Sequence, residues 1–385
     1  MAEKRKDSKG TVLKDGESQR KNGTYMYRYK DGDKKQHTIY AKTLRELREK
    51  EAEIQKAILD GINYAAGGET VYGLAKKYLS LHTNISISTQ HTYDSLLRKL
   101  EKQEFSKRKI RDVKSSDAKA FFLSLSQEGS YKSNSIKSLH AILQPAFDMA
   151  VNDGALYRNP FSFAVSEVVP DDQEDRCALS EKQVSDYLEF VKDSQWRGCY
   201  NQLVILLGTG MRVSELCGLT IDSVDMENRC IHVTKQLLYN NKVGRYIAPP
   251  KTESGIRDIP MSEFVYRAFA DALEDRKAPD VEPMVDGCTG FLFFDSDGKP
   301  QLNGTLERIM HSILKAYNNT HSVQLPNITP HVLRHTALTL LASKGMKPKS
   351  LQNFAGHSNV QTTLNIYVHS SYEQTKQDFL RVINE

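Results

Sequence analysis

Two interruptions divide this 385-residue sequence, and each marks a place where a packed core must stop. The first is Ala65-Ala66-Gly67-Gly68. The second runs from Val168 to Asp175, with Pro170 followed by an acidic, turn-forming stretch that should lie exposed. Three modules are therefore expected, over 1–64, 70–165 and 177–370, with 166–176 as a linker and 371–385 as a tail.

Periodicity differs between the modules. Tyr25-Met26-Tyr27-Arg28-Tyr29 alternates strictly, which puts the tyrosines on one face of a strand and Met26, Arg28 and Lys30 on the other. Asp31-Gly32-Asp33 turns into a second strand over 36–40. Thr43 then caps a helix, with Glu46 at the capping-box position. Residues 70–165 read as helices near 70–82, 88–102, 115–127 and 132–152. From 177 onward the pattern is mixed. Strands are expected over 229–239, 245–247 and 256–260. Helices are expected from 179, over 200–208, and at 262–275, 303–318, 331–344, 348–354 and 360–367.

Charge separates the modules as well. Residues 1–42 hold 12 Lys+Arg against 6 Asp+Glu, and residues 71–165 hold 14 against 8, whereas 166–385 hold 23 against 28. Two basic blocks ahead of an acidic one fit two modules that bind a polyanion. No apolar run approaches a membrane span, and the basic N-terminus has no apolar stretch after it, as a secretory signal would. The five cysteines are an odd number with no C-x-x-C pair, which points to reduced thiols rather than disulfides or a zinc site. No G-x-x-x-x-G-K-[ST] loop is present, and Val213 stands where a dinucleotide fingerprint needs its third glycine.

Six residues carry candidate chemistry. Arg212 follows Gly208-Thr209-Gly210 at the start of a helix, with Glu215 one turn on. Lys251 lies in APPKTESGIRDIPM, at the tip of an expected hairpin between Ile247 and Ile256. Thr329-Pro330 starts a helix that carries His331 and Arg334 three apart. His357 follows Gly356, and Tyr367 stands ten residues later. Arginine offers phosphate a fixed fork of donors, histidine moves protons near neutral pH, and tyrosine can become a phosphate ester. Each fragment alone also fits an ordinary structural role, and Glu215 fits a surface position as well as a brace for Arg212.

In order and local wording the set resembles the tyrosine recombinases, the phage-integrase family. T-G-x-R-x-S-E-L, T-P-H-x-L-R-H-T, and G-H-S followed by T-T-L and the tyrosine carry the resemblance over roughly 177–370. The whole layout resembles integrases of Gram-positive conjugative transposons. The fold implied is multi-domain α+β: an N-terminal β-sheet plus helix that binds arm-type DNA sites, an all-helical core-binding domain, and a mixed, mainly helical catalytic domain with a small β-sheet.

The resemblance also implies roles. Tyr367 would attack a phosphodiester and form a 3′-phosphotyrosine. Arg212 and Arg334 would neutralise the non-bridging oxygens. Lys251 would protonate the leaving 5′-oxygen. His331 would serve as base or phosphate ligand, and His357 would hydrogen-bond the phosphate. Arg28, Lys30, Lys107, Arg108 and Lys109 would contact DNA. The arginines would do the work that metals do in many nucleases, so neither metal nor other cofactor is expected. Double-stranded DNA and three further copies of the chain are the implied partners, joined by an excisionase and a host DNA-bending protein, in a bacterial cytosol.

A type IB topoisomerase would use the same chemistry, and a non-enzymatic DNA-binding regulator would need only the basic modules. The tail has Tyr372, Phe379, Leu380, Val382 and Ile383 at partial helical spacing. It is expected either to fold back on its own catalytic domain or to dock on a neighbouring subunit of a closed tetramer.

Overall fold

A computed structural model describes residues 5–31, 34–83, 85–129, 131–171 and 178–367 of the chain. They fall into two compact units, Met1–Glu174 and Asp175–Glu385. Among the described residues, no helix is long and apolar enough to cross a membrane.

The first unit opens with a three-stranded antiparallel sheet, β1 (Glu17–Gln19), β2 (Tyr25–Lys30) and β3 (Gln36–Ala41), in the order β1-β2-β3. The short β1 was not apparent in the sequence, where turn signals surround it. The alternation in β2 places Tyr25, Tyr27 and Tyr29 in the interior and leaves Arg28 and Lys30 exposed. Helix α1 (Leu44–Leu59) covers the tyrosine face with Leu47 and Ile54, and the Thr43 hydroxyl accepts from Glu46 N at 3.2 Å.

Helices α2 (Val71–Leu81), α3 (Ile87–Glu101), α4 (Ser115–Gln127) and α5 (Ser133–Asn152) surround a separate core that includes Phe122, Ile136, Leu143, Phe147 and Phe161. Arg111 joins this bundle to the first module. Its Nη1 donates to Tyr64 O at 3.1 Å, and its guanidinium lies 4.1 Å from the Tyr64 ring centre.

The second unit is organised around α7 (Tyr200–Thr209), whose Leu203, Val204, Ile205 and Leu206 are all buried. An apolar run without one-sided periodicity needs partners all round. Those partners include α9 (Glu263–Glu274), α11 (Pro330–Ser343) and α6 (Glu181–Lys192). The short α8 (Val213–Cys217) follows α7. The long α10 (Asn303–Thr320) and the pair α12 (Pro348–Ala355) and α13 (Val360–Tyr367) complete the helices.

The strands correct the sequence reading. Residues 229–239 form two strands, β5 (Cys230–Val233) and β6 (Gln236–Asn240), in different sheets. Ile231 and Val233 point inward at a spacing of two, but Gln236 and Leu237 are both buried, so the alternation breaks phase between them. Strand β5 pairs with β4 (Val224–Asp225) and β8 (Arg257–Pro260), while β6 pairs with β7 (Gly244–Ala248). Lys251 is therefore not at a hairpin tip. It lies in the crossover from the β6–β7 ribbon to the β4-β5-β8 sheet. Tyr372, the tail and linker residues 172–176 lie outside the described residues.

Candidate active site

Gly210 ends α7 in the left-handed region, at φ 58°, where a side chain would be strained. Its carbonyl accepts from Arg334 Nη1 at 2.5 Å, and Arg334 Nη2 donates to Ala355 O at 2.6 Å. Arg334 is thus held by the ends of two helices, α7 and α12. Carbonyls at helix C-termini carry partial negative charge, which suits a buried guanidinium.

Arg212 stands at the N-cap of α8. Its Nη1 donates to Glu215 Oε1 at 2.7 Å, and its Nη2 reaches Gly356 O at 3.4 Å, one residue beyond the carbonyl used by Arg334. Glu215 is buried rather than a surface residue. Burial works to raise its carboxyl, but Arg257 and Arg212 hold it below the usual carboxylate range.

Arg257 is the site residue that sequence reasoning missed. Its Nη2 and Nη1 bind the two Glu215 oxygens at 2.9 and 3.3 Å, and its Nε donates to Phe354 O at 2.8 Å. A signal was available in the alternation of β8. Ile259 faces the core, so Arg257, two residues earlier, must face inward too.

Gly356 closes α12 at φ 67°, and a Cβ there would come within 2.9 Å of Ser254 O and 3.1 Å of Arg257. It positions His357, whose Nδ1 lies 3.0 Å from Thr363 Oγ1. Burial, then Arg334, Arg212 and Arg257, push the imidazole down to about 4, so it is neutral at neutral pH. Burial and the nearby Arg212 likewise push Arg334 down to about 9. Three guanidiniums therefore converge here, and among the described residues Glu215 is the one carboxylate paired with them. A partly buried cluster with uncompensated positive charge and a neutral imidazole is a site for an anion.

The Thr329 hydroxyl caps α11 and Pro330 begins it, as the sequence predicts. His331 is exposed on the first turn, one turn ahead of the buried Arg334. Lys251 is exposed on the crossover loop. Tyr367 is half-buried at the end of α13, and its hydroxyl donates to Met346 O rather than pointing to an arginine. Burial raises its pKa.

Arg28 and Lys30 stand on the outer sheet face beside Thr38 and Gln36. Lys107 pairs with Glu104 at 2.6 Å and Arg108 with Asp117 at 3.0 Å, while Lys109 is exposed. Although no Cys/His cluster is visible in the sequence, folding brings ligand atoms of Cys230, His232 and Asp258 within 4.8 Å of one another on the outer face of β5 and β8. The Asp258 carboxylate already binds His232 Nδ1 at 2.7 Å.

The phage integrase family profile matches residues 178–374, and the DNA-binding domain of the Tn916 integrase matches residues 1–58. The chain belongs to the phage integrase family. This tyrosine recombinase, a DNA strand-transferring enzyme, is 37% identical over 399 residues to the transposase from transposon Tn1545 of Streptococcus pneumoniae, covering 100% of this chain and 98% of that protein. It is 36% identical over the same length to the transposase from transposon Tn916 of Enterococcus faecalis. In structure it is similar to the Tn1549 transposon integrase in complex with transposon right end DNA. That match has a TM-score of 0.77 and 38% identity, over 82% of this chain and 100% of the other.

Proposed function

We propose that this tyrosine recombinase excises and inserts a mobile DNA element, with Tyr367 as its nucleophile. The observation that carries the reading is the convergence of Arg212, Arg334 and His357 on the ends of α7 and α12, with one carboxylate paired among three guanidiniums in the described residues. A scissile phosphate supplies the missing negative charge. The arginines then stabilise the charge that builds on its non-bridging oxygens. The neutral His357, with Nδ1 engaged by Thr363, has Nε2 for a phosphate oxygen. Lys251 protonates the 5′-oxygen as it leaves, and His331 takes the tyrosine proton or binds the phosphate. Before attack, the Tyr367 hydroxyl must leave Met346 O.

Residues 1–64 read as an arm-site module that meets DNA with the Arg28–Lys30 face, 70–165 as the core-binding domain, 177–370 as the catalytic domain and 371–385 as a tail that docks on a neighbouring subunit of a tetramer. The Tn916 integrase domain matched at residues 1–58, and the DNA held by the Tn1549 integrase, support a recombinase over a topoisomerase. A nicked suicide substrate from an end of the element tests the reading. Covalent trapping of the chain on the 3′-phosphate is expected, and tight binding without an adduct would leave a DNA-binding regulator instead.

A further inference from the structure

The general acid of strand cleavage has an exacting task. The Tyr367 Oη–P bond forms, the tyrosine hydroxyl proton passing to His331, as the P–O5′ bond breaks, and a proton from Lys251 Nζ ends on O5′ to give the free 5′-hydroxyl. Lysine is a flexible stem with a point charge, and here it rides on a loop. Misplacement by an ångström weakens such a step severely. The structure has two devices that fix this loop, one at each end.

At its start, the buried Gln236 of β6 donates Nε2 to Pro249 O at 2.8 Å, and its Oε1 accepts from Ser214 Oγ at 3.1 Å. At its end, Arg257 Nη1 donates to Gly255 O at 2.9 Å while Nη2 binds Glu215 at 2.9 Å. Between the anchors a single tight turn winds the chain, with Gly255 N on Thr252 O at 2.8 Å. Ser214 and Glu215 are neighbours on α8, two and three residues after Arg212. One short helix therefore carries a phosphate ligand and, through two side chains, both ends of the loop that bears Lys251.

We infer that Arg257 and Gln236 are positioning residues for proton transfer: they hang the Lys251 loop from α8, so that the acid is set against the same phosphate that Arg212 holds. The inference rests on the reading of Lys251 and Tyr367 given above. It separates two kinds of defect. Losing Gln236 misplaces the acid but leaves the phosphate clamp, whereas losing Arg257 also takes a partner from Glu215, which braces Arg212. Losing Arg212 removes the clamp.

A leaving group that needs no proton tells these apart. Cleavage by the full-length chain is measured on a nicked suicide duplex and on the same duplex with sulfur replacing the bridging 5′-oxygen, which departs as thiolate. Lys251→Ala should slow the ordinary substrate about 100-fold or more, and Arg257→Gln and Gln236→Leu about tenfold or more. On the sulfur substrate Lys251→Ala and Gln236→Leu should come within about threefold of wild type and Arg257→Gln should recover in part, because Arg257 also pairs with Glu215 beside Arg212, whereas Arg212→Ala should stay slow. If Gln236→Leu stays slow on sulfur while Lys251→Ala is restored, the anchors do not serve the acid and the inference is overturned. If Lys251→Ala is itself not restored, the reading of Lys251 fails and the inference fails with it. Thermal melts and core-site binding show whether each variant is folded. Should Arg257→Gln prove unfolded, Gln236→Leu, acting at the opposite end of the loop, carries the same test.

Discussion

Arg334 donates Nη1 to the carbonyl of Gly210, 124 residues earlier in the chain, at 2.5 Å. Through this bond the buried guanidinium of α11 is fixed to the last turn of α7, two residues before Arg212. Its other amino group holds Ala355, two residues before His357. One side chain thus sets the spacing of the three segments that carry Arg212, Arg334 and His357. The left-handed Gly210 makes this possible, because its backbone turns the carbonyl toward the centre of the site.

Substituting either arginine should therefore have unequal consequences. Arg212→Ala and Arg334→Ala should each slow covalent trapping by about 100-fold or more, since each removes a preorganised donor from transition-state charge. Arg334→Ala should also lower the melting temperature, because two buried carbonyls lose their partner. Lysine at either position should be a poor replacement, since a point charge cannot fork. Near-normal cleavage by Arg212→Lys would remove the clamp role.

Tyr367→Phe should abolish the covalent adduct while leaving gel-shift affinity for the core site nearly unchanged, because affinity comes from many phosphate contacts. Tyr372→Phe should still form the adduct. The reverse pattern on a denaturing gel would move the nucleophile to Tyr372.

His357 should make folding stability fall on mild acidification. The unfolded imidazole titrates near 6.5 and the folded one near 4, so between these values the unfolded chain binds more protons than the folded one. Stability from this group is complete above about 6.5 and is lost as pH falls toward 4. Denaturant titrations across that window should show a smaller pH slope for His357→Asn than for wild type. Equal slopes would mean that the imidazole is not held neutral. A bound phosphate analogue should oppose the effect, since its charge favours the imidazolium.

Deleting residues 1–62 should spare cleavage of an isolated core site and impair recombination of a complete element end. The cut keeps Asn63, whose N–H donates to Gly154 O at 2.8 Å, and Tyr64, which lies under Arg111. Arg28→Glu with Lys30→Glu should mimic the deletion if the outer sheet face meets DNA. Unchanged footprints on the full end would exclude a second DNA-binding activity.

Removing residues 372–385 should reduce tetrameric synapsis in sedimentation experiments and alter single-site cleavage, with the melting temperature of the catalytic domain retained. Normal synapsis and normal recombination by the truncated chain would rule out docking of the tail on a neighbour.

Local chemistry was enough to place most elements. The tyrosine alternation of β2, the Thr43 and Thr329 caps, Pro330 at a helix start and the unbroken apolar run of α7 each act through neighbours only a few residues away. The ordered motifs around Arg212, His331, Arg334, His357 and Tyr367 named the family for the same reason, since each is a short local word. What the sequence could not express was partnership across distance. The phase break between Val233 and Gln236 sends β5 and β6 to different sheets, and only pairing with β8 and β7 decides which. Glu215 reads equally as a surface acid or a buried brace until Arg257, 42 residues on, is folded against it. Caps and periodicities are fixed by backbone geometry within a turn or two. A buried ion network is fixed by which loops close, and a one-dimensional pattern carries no record of that closure.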